Sequence, residues 1–131
     1  MNYYLAIDIG ASGGRHILGH MENGILITEE IYRFDNGPIK KDGELLWDTQ
    51  HIFLEILNGL KACKAANKVP VSMGIDTWGV DYVLTDAGGE KIGKSYCYRD
   101  ARTACIDQEV YRQISEEDLY LRTGIQKQIF N

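Results

Sequence analysis

Asp8-Ile9-Gly10-Ala11-Ser12-Gly13-Gly14-Arg15 lies between a strand-like run, Tyr4-Leu5-Ala6-Ile7, and a second apolar run containing Ile17 and Leu18. Small residues let a backbone turn tightly and let another molecule approach its N–H groups. A nest of such N–H groups attracts an anion, above all a phosphate. With a carboxylate at one end to hold metal-bound water and an arginine at the other, the stretch reads as a phosphate cradle. Two other readings fit the same letters: a hydrolase nucleophile elbow, and a glycine-rich hairpin with no ligand.

The elbow reading rests on Gly10-Ala11-Ser12-Gly13-Gly14, a literal G-x-S-x-G. That motif needs a helix starting directly behind the serine. Arg15 to His20 is short, is interrupted by Gly19 and runs into an Asn23-Gly24 turn. A triad in the order Ser, Asp, His also needs a late histidine, and the last one here is His51. A dinucleotide fold is no better, because G-x-G-x-x-G and its helix are both missing. A second literal match, Gly88-Gly89-Glu90-Lys91-Ile92-Gly93-Lys94-Ser95, has the letters of a P-loop. A P-loop must open a helix, whereas Tyr96-Cys97-Tyr98-Arg99-Asp100 is aromatic and strand-like. Asp86-Ala87-Gly88-Gly89 is expected to be a tight turn, with Lys91 and Lys94 solvated on the returning strand.

At 131 residues the chain is long enough for one domain with a real core. A net charge of −5 gives no basic footprint for nucleic acid. No apolar run reaches membrane-span length, and Met1-Asn2-Tyr3-Tyr4 lacks the basic start of a signal peptide. Cys63, Cys97 and Cys105 are odd in number and show no C-x-x-C spacing, so reduced thiols in a cytoplasmic protein are expected. Cys63 is read as core. His16, His20 and His51 form no metal-ligand pattern.

The pattern of elements is β-rich at first. Tyr3 to Ile9 is a nearly continuous apolar strand, expected to be buried on both faces. Arg15 to Met21 and Ile25 to Phe34 are predicted strands around the Asn23-Gly24 hairpin. Residues 35–43 form a polar surface excursion. Asp48 or Thr49 can cap a helix running to about Ala66, with Ile52, Phe53, Ile56, Leu57, Leu60 and Cys63 as its apolar stripe. Strands are predicted over Val71 to Asp76 and Val80 to Thr85. Helices are predicted over Thr103 to Gln113 and from Ser115 to a Gly124 stop. The order implies an α/β unit with a mixed sheet, its first three strands antiparallel and helices flanking it. The tail to Asn131 carries no helix stop, so a chain cut inside a larger protein is expected.

Gly74-Ile75-Asp76-Thr77-Trp78-Gly79-Val80-Asp81-Tyr82-Val83-Leu84 narrows the reading further. Together with Arg33-Phe34-Asp35-Asn36-Gly37, Trp47-Asp48, Tyr98-Arg99-Asp100-Ala101-Arg102-Thr103 and Gly124-Ile125-Gln126, it resembles the FGGY carbohydrate kinases over essentially the whole chain. The resemblance implies a ribonuclease-H-like fold of the actin and sugar-kinase ATPase superfamily. It implies ATP-dependent phosphorylation of a ketose, L-rhamnulose at its 1-hydroxyl, with L-fuculose and xylulose as alternatives. A non-catalytic actin-like module is the reading from another class. Residues 1–131 then correspond to the amino-terminal portion of the first lobe, with the adenine-binding lobe outside them.

On that resemblance Ala11, Ser12, Gly13, Gly14 and Arg15 correspond to the ATP-phosphate loop, and Asp8 orients Mg²⁺ through water. Gly13 stands where relatives often carry a second serine. Gly79 corresponds to a sugar-contacting backbone position. Trp78 is expected to face the sugar's methyl end, Asp76 and Asp81 to accept hydroxyl protons, and Arg99, Asp100 and Arg102 to border the pocket. The family's catalytic base is an Asp in a short His-Asp motif. Ile17, Met21 and Ile52 follow the histidines here, so the base is expected beyond Asn131. The implied partners are a sugar and a nucleotide.

Overall fold

The computed structural model describes residues 1–130. Four strands form a sheet in the order β3-β2-β1-β6. They are β1 (Tyr3–Gly10), β2 (Gly13–Glu22), β3 (Ile25–Asp35) and, later in the chain, β6 (Pro70–Thr77). β1 to β3 form an antiparallel meander, and β6 returns parallel to β1. The mixed sheet is the one expected. Asn23 and Gly24 both take positive φ (50° and 79°), as the tight turn between β2 and β3 requires.

Helix α1 (Thr49–Ala65) begins where the sequence marks it, with the Asp48 carboxylate accepting from the His51 N–H. Its Cys63 packs with Leu5, Ile7, Ile9, Leu18 and Phe34, and Ile52, Ile56 and Leu60 close around them. β1 is not buried on both faces as expected. Leu5, Ile7 and Ile9 are in the core, while Tyr4 is 48% exposed. The physical reason is that the packing helix covers one face of the strand.

Two compact units divide the chain: Met1–Pro38 with Trp47–Gly79, and residues 39–46 with the chain from Val80 on. β4 (Pro38–Lys41) and β5 (Glu44–Trp47), which lie in the second unit except for Pro38 and Trp47, pair across a turn with positive φ at Asp42 and Gly43. This hairpin stands where a polar excursion is expected. The predicted strand from Val80 shrinks to β7 (Leu84–Thr85), paired with β8 (Lys91–Ile92). The predicted helix over Thr103 to Gln113 is also broken. A 3₁₀ turn (Ala101–Thr103) and α2 (Ile106–Val110) flank Cys105, which sits in the left-handed region at φ 67°. α3 (Glu116–Thr123) matches its forecast, from the Ser115 cap to Gly124 in the left-handed conformation. No helix among the described residues is long and apolar enough to cross a membrane.

Candidate phosphate-binding site

The hairpin between β1 and β2 turns on Ala11 and Ser12, closed by the facing pair Gly10 and Gly13. None of these four takes a positive φ, so the glycines do not serve the turn's conformation. They serve space. A Cβ on Gly14 would come 2.2 Å from Phe34 Cζ, and one on Gly13 3.1 Å from the Phe34 carbonyl oxygen. No helix follows Ser12, which removes the nucleophile elbow. The literal P-loop fails likewise: Asp86 Oδ1 accepts from the N–H groups of Gly88 and Glu90 (both 2.9 Å), making a tight turn that leads into β8. Lys94, expected to be solvated, pairs with Glu44.

One row of side chains crosses the sheet beside this hairpin. Asp76 on β6 lies level with Asp8 on β1, Asp8 with Arg15 on β2, and Arg15 with Arg33 on β3. Residues level with one another on paired strands share a face, here the face away from α1. The row reads carboxylate, carboxylate, guanidinium, guanidinium. Asp8 Oδ2 receives Arg15 Nε at 3.0 Å and Nη2 at 2.9 Å. Asp8 and Asp76 stand at the carboxyl ends of parallel neighbours, the end where open α/β sheets bind ligands. An open cavity of about 240 Å³ sits at this end, lined by Asp8, Gly10, Ser12, Gly13, Gly14, Arg15, Arg33, Phe34 and Asp35. Ala11 lies in the same turn but not on the cavity wall.

The end of β3 braces the hairpin. Asn36 Nδ2 donates to the Gly10 carbonyl at 2.9 Å, and its backbone N–H reaches the Ser12 carbonyl at 3.4 Å. His51 Nε2 lies 3.1 Å from the Asp35 carbonyl, linking α1 to the same segment. Arg33, Asp35 and Asn36 are not among the expected site residues. The signal is available in Arg33, which alternates with the core-facing Tyr32 and Phe34 on the strand beside Arg15.

Beneath the hairpin, His16 is fully buried between β2 and α1. Its Nε2 donates to the Ile56 carbonyl at 3.3 Å, which leaves Nδ1 as a bare acceptor with no partner among the described residues. Gly59 makes room for the ring, since a Cβ there would come within 2.2 Å of it. Burial pushes the His16 imidazole below its ordinary range, against smaller opposing effects of the Ile56 carbonyl and Glu55. The unfolded chain therefore takes up this proton first as pH falls. Stability should drop as pH passes down through about 6.5 and level off below the folded-state pKa. Melting temperatures between about pH 8 and pH 5 should show this fall, and His16→Gln should flatten it. An equally steep profile in the variant would assign the fall to other groups.

The residues expected near a sugar are placed unequally. Trp78, half-buried, packs on Trp47 with ring centroids 4.4 Å apart and joins the edge of the core. Gly79 is exposed, and a Cβ on it would meet nothing within 4 Å among the described residues. Asp76 is exposed in the row just described. In the second unit Asp81 is half-buried, and Arg99 is exposed with its guanidinium 5.1 Å from the Tyr98 ring centroid. Asp100 corrects the expectation made for it. It is 4% exposed, and its two oxygens accept from the N–H groups of Leu45 (2.7 Å) and Arg102 (2.8 Å). Those bonds hold its carboxyl below the usual range. They make it a brace for the loop that carries Arg99, not a group open to a sugar.

The chain is 51% identical over its whole length to a rhamnulokinase of Halalkalibacterium halodurans, of which it covers 28%. It is 49% identical to one of Oceanobacillus iheyensis, over 97% of this chain and 27% of the relative. It thus spans little more than a quarter of the curated relatives it matches. Among solved structures, Plasmodium falciparum glycerol kinase with ADP superposes over 99% of this chain and 27% of that one, with a TM-score of 0.74 at 17% identity. That likeness establishes the expected ribonuclease-H-like fold of the sugar kinases. The family model described as the N-terminal domain of the FGGY carbohydrate kinases matches residues 3–131, and the chain belongs to that family.

Proposed function

We propose that the full-length protein containing this chain transfers the γ-phosphoryl group of ATP to the 1-hydroxyl of L-rhamnulose, in the cytoplasmic breakdown of rhamnose. The relatives named above support the sugar. The observation that supports the chemistry is the Asp8–Arg15 pair beside the open hairpin. Phosphoryl transfer needs positioning and charge neutralisation more than covalent help from the protein. The hairpin residues Ala11, Ser12, Gly13 and Gly14 meet the phosphate chain, and Arg15 adds a guanidinium. Residues 1–131 supply the amino-terminal part of the first lobe. The base for the sugar hydroxyl and the adenine wall come from elsewhere in the full-length protein.

The residues fit Mg²⁺. No cluster of three His, Cys, Asp or Glu side chains that could cage a metal occurs among the described residues. Mg²⁺ needs none, since it keeps much of its water and takes oxygens from one or two carboxylates and the substrate phosphates. Asp8, about half exposed at the cavity edge, suits that arrangement. When bound, the ion offsets phosphate charge.

On the sugar side of the first unit, Gly79 offers its backbone, Trp78 an apolar face and Asp76 its carboxylate. Phosphorylation of L-rhamnulose by the full-length protein should exceed that of L-fuculose and xylulose by roughly tenfold or more in kcat/KM, the discrimination expected of a site built to bond the substrate's hydroxyls. Gly79→Ala has no clash among the described residues to explain away, so it should raise the sugar KM and leave the ATP KM and melting temperature alone. A better rate with another ketose would replace L-rhamnulose, and no turnover of any sugar would favour a non-catalytic module.

A further inference from the structure

Arg33 lines the cavity beside Arg15. It lies directly opposite Arg15 on the paired strand. Like charges in that position destabilise a sheet unless each is offset. Each arginine is held by its own carboxylate. Asp8 takes Nε and Nη2 of Arg15, and Glu30 takes Nε (2.8 Å) and Nη2 (2.5 Å) of Arg33. In both forks Nη1 is left out, and both arginines line the same cavity.

The Glu30–Arg33 fork is itself built by an irregularity. Residues three apart on a regular strand point to opposite faces. Here His16 is level with Tyr32 but Ile17 is level with Glu30, so Ile31 is an extra residue on β3. That bulge lets Ile31 pack toward the core and turns Glu30 to the face of Arg33. Bulges next to a binding site commonly re-aim a side chain in this way. The Glu30 carboxyl is held below its ordinary range, mainly by the Arg33 hydrogen bonds, with Arg15 contributing through space.

We propose that Arg33, oriented by Glu30 through the Ile31 bulge, is the second cation of the nucleotide-phosphate site, paired with Arg15 across β2 and β3. The inference rests on the kinase reading above and deepens it at the same cavity. Arg33 then donates from Nη1 to a phosphate oxygen while Glu30 keeps the guanidinium in place. The ligand recognised is the phosphate chain, not the base.

The test uses the full-length protein with ATP and, as a phosphate-only probe, inorganic tripolyphosphate as a competitor. Arg33→Gln should raise the ATP KM roughly tenfold, as loss of a charge-assisted contact does. It should weaken tripolyphosphate inhibition in parallel, with the sugar KM and melting temperature unchanged. Arg33→Lys should recover part of the loss, and Glu30→Gln should shift the ATP KM the same way by a smaller factor. Arg15→Ala serves as the reference for the cradle itself. If Arg15→Ala raises the ATP KM and Arg33→Gln does not, the inference is overturned and the kinase reading stands. If neither does, the cradle reading fails. A lower melting temperature, an equal rise in both KM values, or unchanged tripolyphosphate inhibition in Arg33→Gln would reduce Arg33 to a structural residue and overturn the inference too.

Discussion

A Gly14→Ala protein should melt well below the parent and lose ATP affinity with it. The new methyl carbon would stand 2.2 Å from Phe34 Cζ and 2.4 Å from Cε1, distances no pair of carbons tolerates. Phe34 is 7% exposed and sits in the core with Leu5, Ile7 and Ile9, so its ring has little room to retreat. Forcing an extra methyl into a packed core costs about 1–3 kcal/mol, occasionally more. Here the strain falls on the strand that carries Arg15 and on the one that carries Arg33. A smaller side chain at 34 should relieve it. Gly14→Ala with Phe34→Leu should therefore melt higher than additive losses from the two single changes, because contacting residues couple. Thermal melts of the four proteins decide it, and a single alanine variant as stable as the parent sinks the argument.

That result bears on what the letters of the hairpin mean. Gly10-Ala11-Ser12-Gly13-Gly14 looks like a turn that needs conformational freedom, yet no residue in it uses positive φ. Its glycines are spaces reserved for the Phe34 ring and for neighbouring carbonyl oxygens, and for Gly13 and Gly14 the partner that demands the space is Phe34, about twenty residues away in sequence. Spatial demands of that kind leave no local mark. Gly59 under His16 is the same case.

Local chemistry is legible where it acts locally. Asp48 caps α1, Asn23-Gly24 turns β2 into β3, and Ser115 and Gly124 bound α3 as their residue types require. Asp42-Gly43 is an equally local hairpin signal, masked by the charges of Lys40, Lys41 and Asp42. Asp100 is misread from its neighbours because its partner, the Leu45 N–H, comes from a distant strand. The Ile31 bulge leaves a trace: Ile31 and Tyr32 are adjacent and both partly buried against the core, which a strict two-residue alternation forbids. Two adjacent inward residues shift the alternation by one, and that shift alone sets Glu30 on the face of Arg33.

Asp8→Asn should separate charge from shape at the centre of the row. The Asp8–Arg15 pair is nearly half exposed on both sides, and such pairs contribute little to stability. The melting temperature should therefore hardly move. Activity of the full-length protein should fall on the order of a hundredfold in kcat, the scale of losing one preorganised electrostatic contact to the transferring phosphoryl group. The magnesium dependence adds a readout that a merely misfolded site would not give. Asp8, Asp76 and Glu30 set three carboxylates against Arg15 and Arg33 along this face, so ATP without its metal meets net negative charge. Removing one carboxylate should let metal-free ATP compete at least as well as in the parent, while the Mg²⁺ concentration for half-maximal rate rises. A kcat within a few-fold of the parent at saturating Mg²⁺ would show that Asp8 is only the keeper of Arg15. The cation's place would then have to be sought at Asp76, its level neighbour on β6.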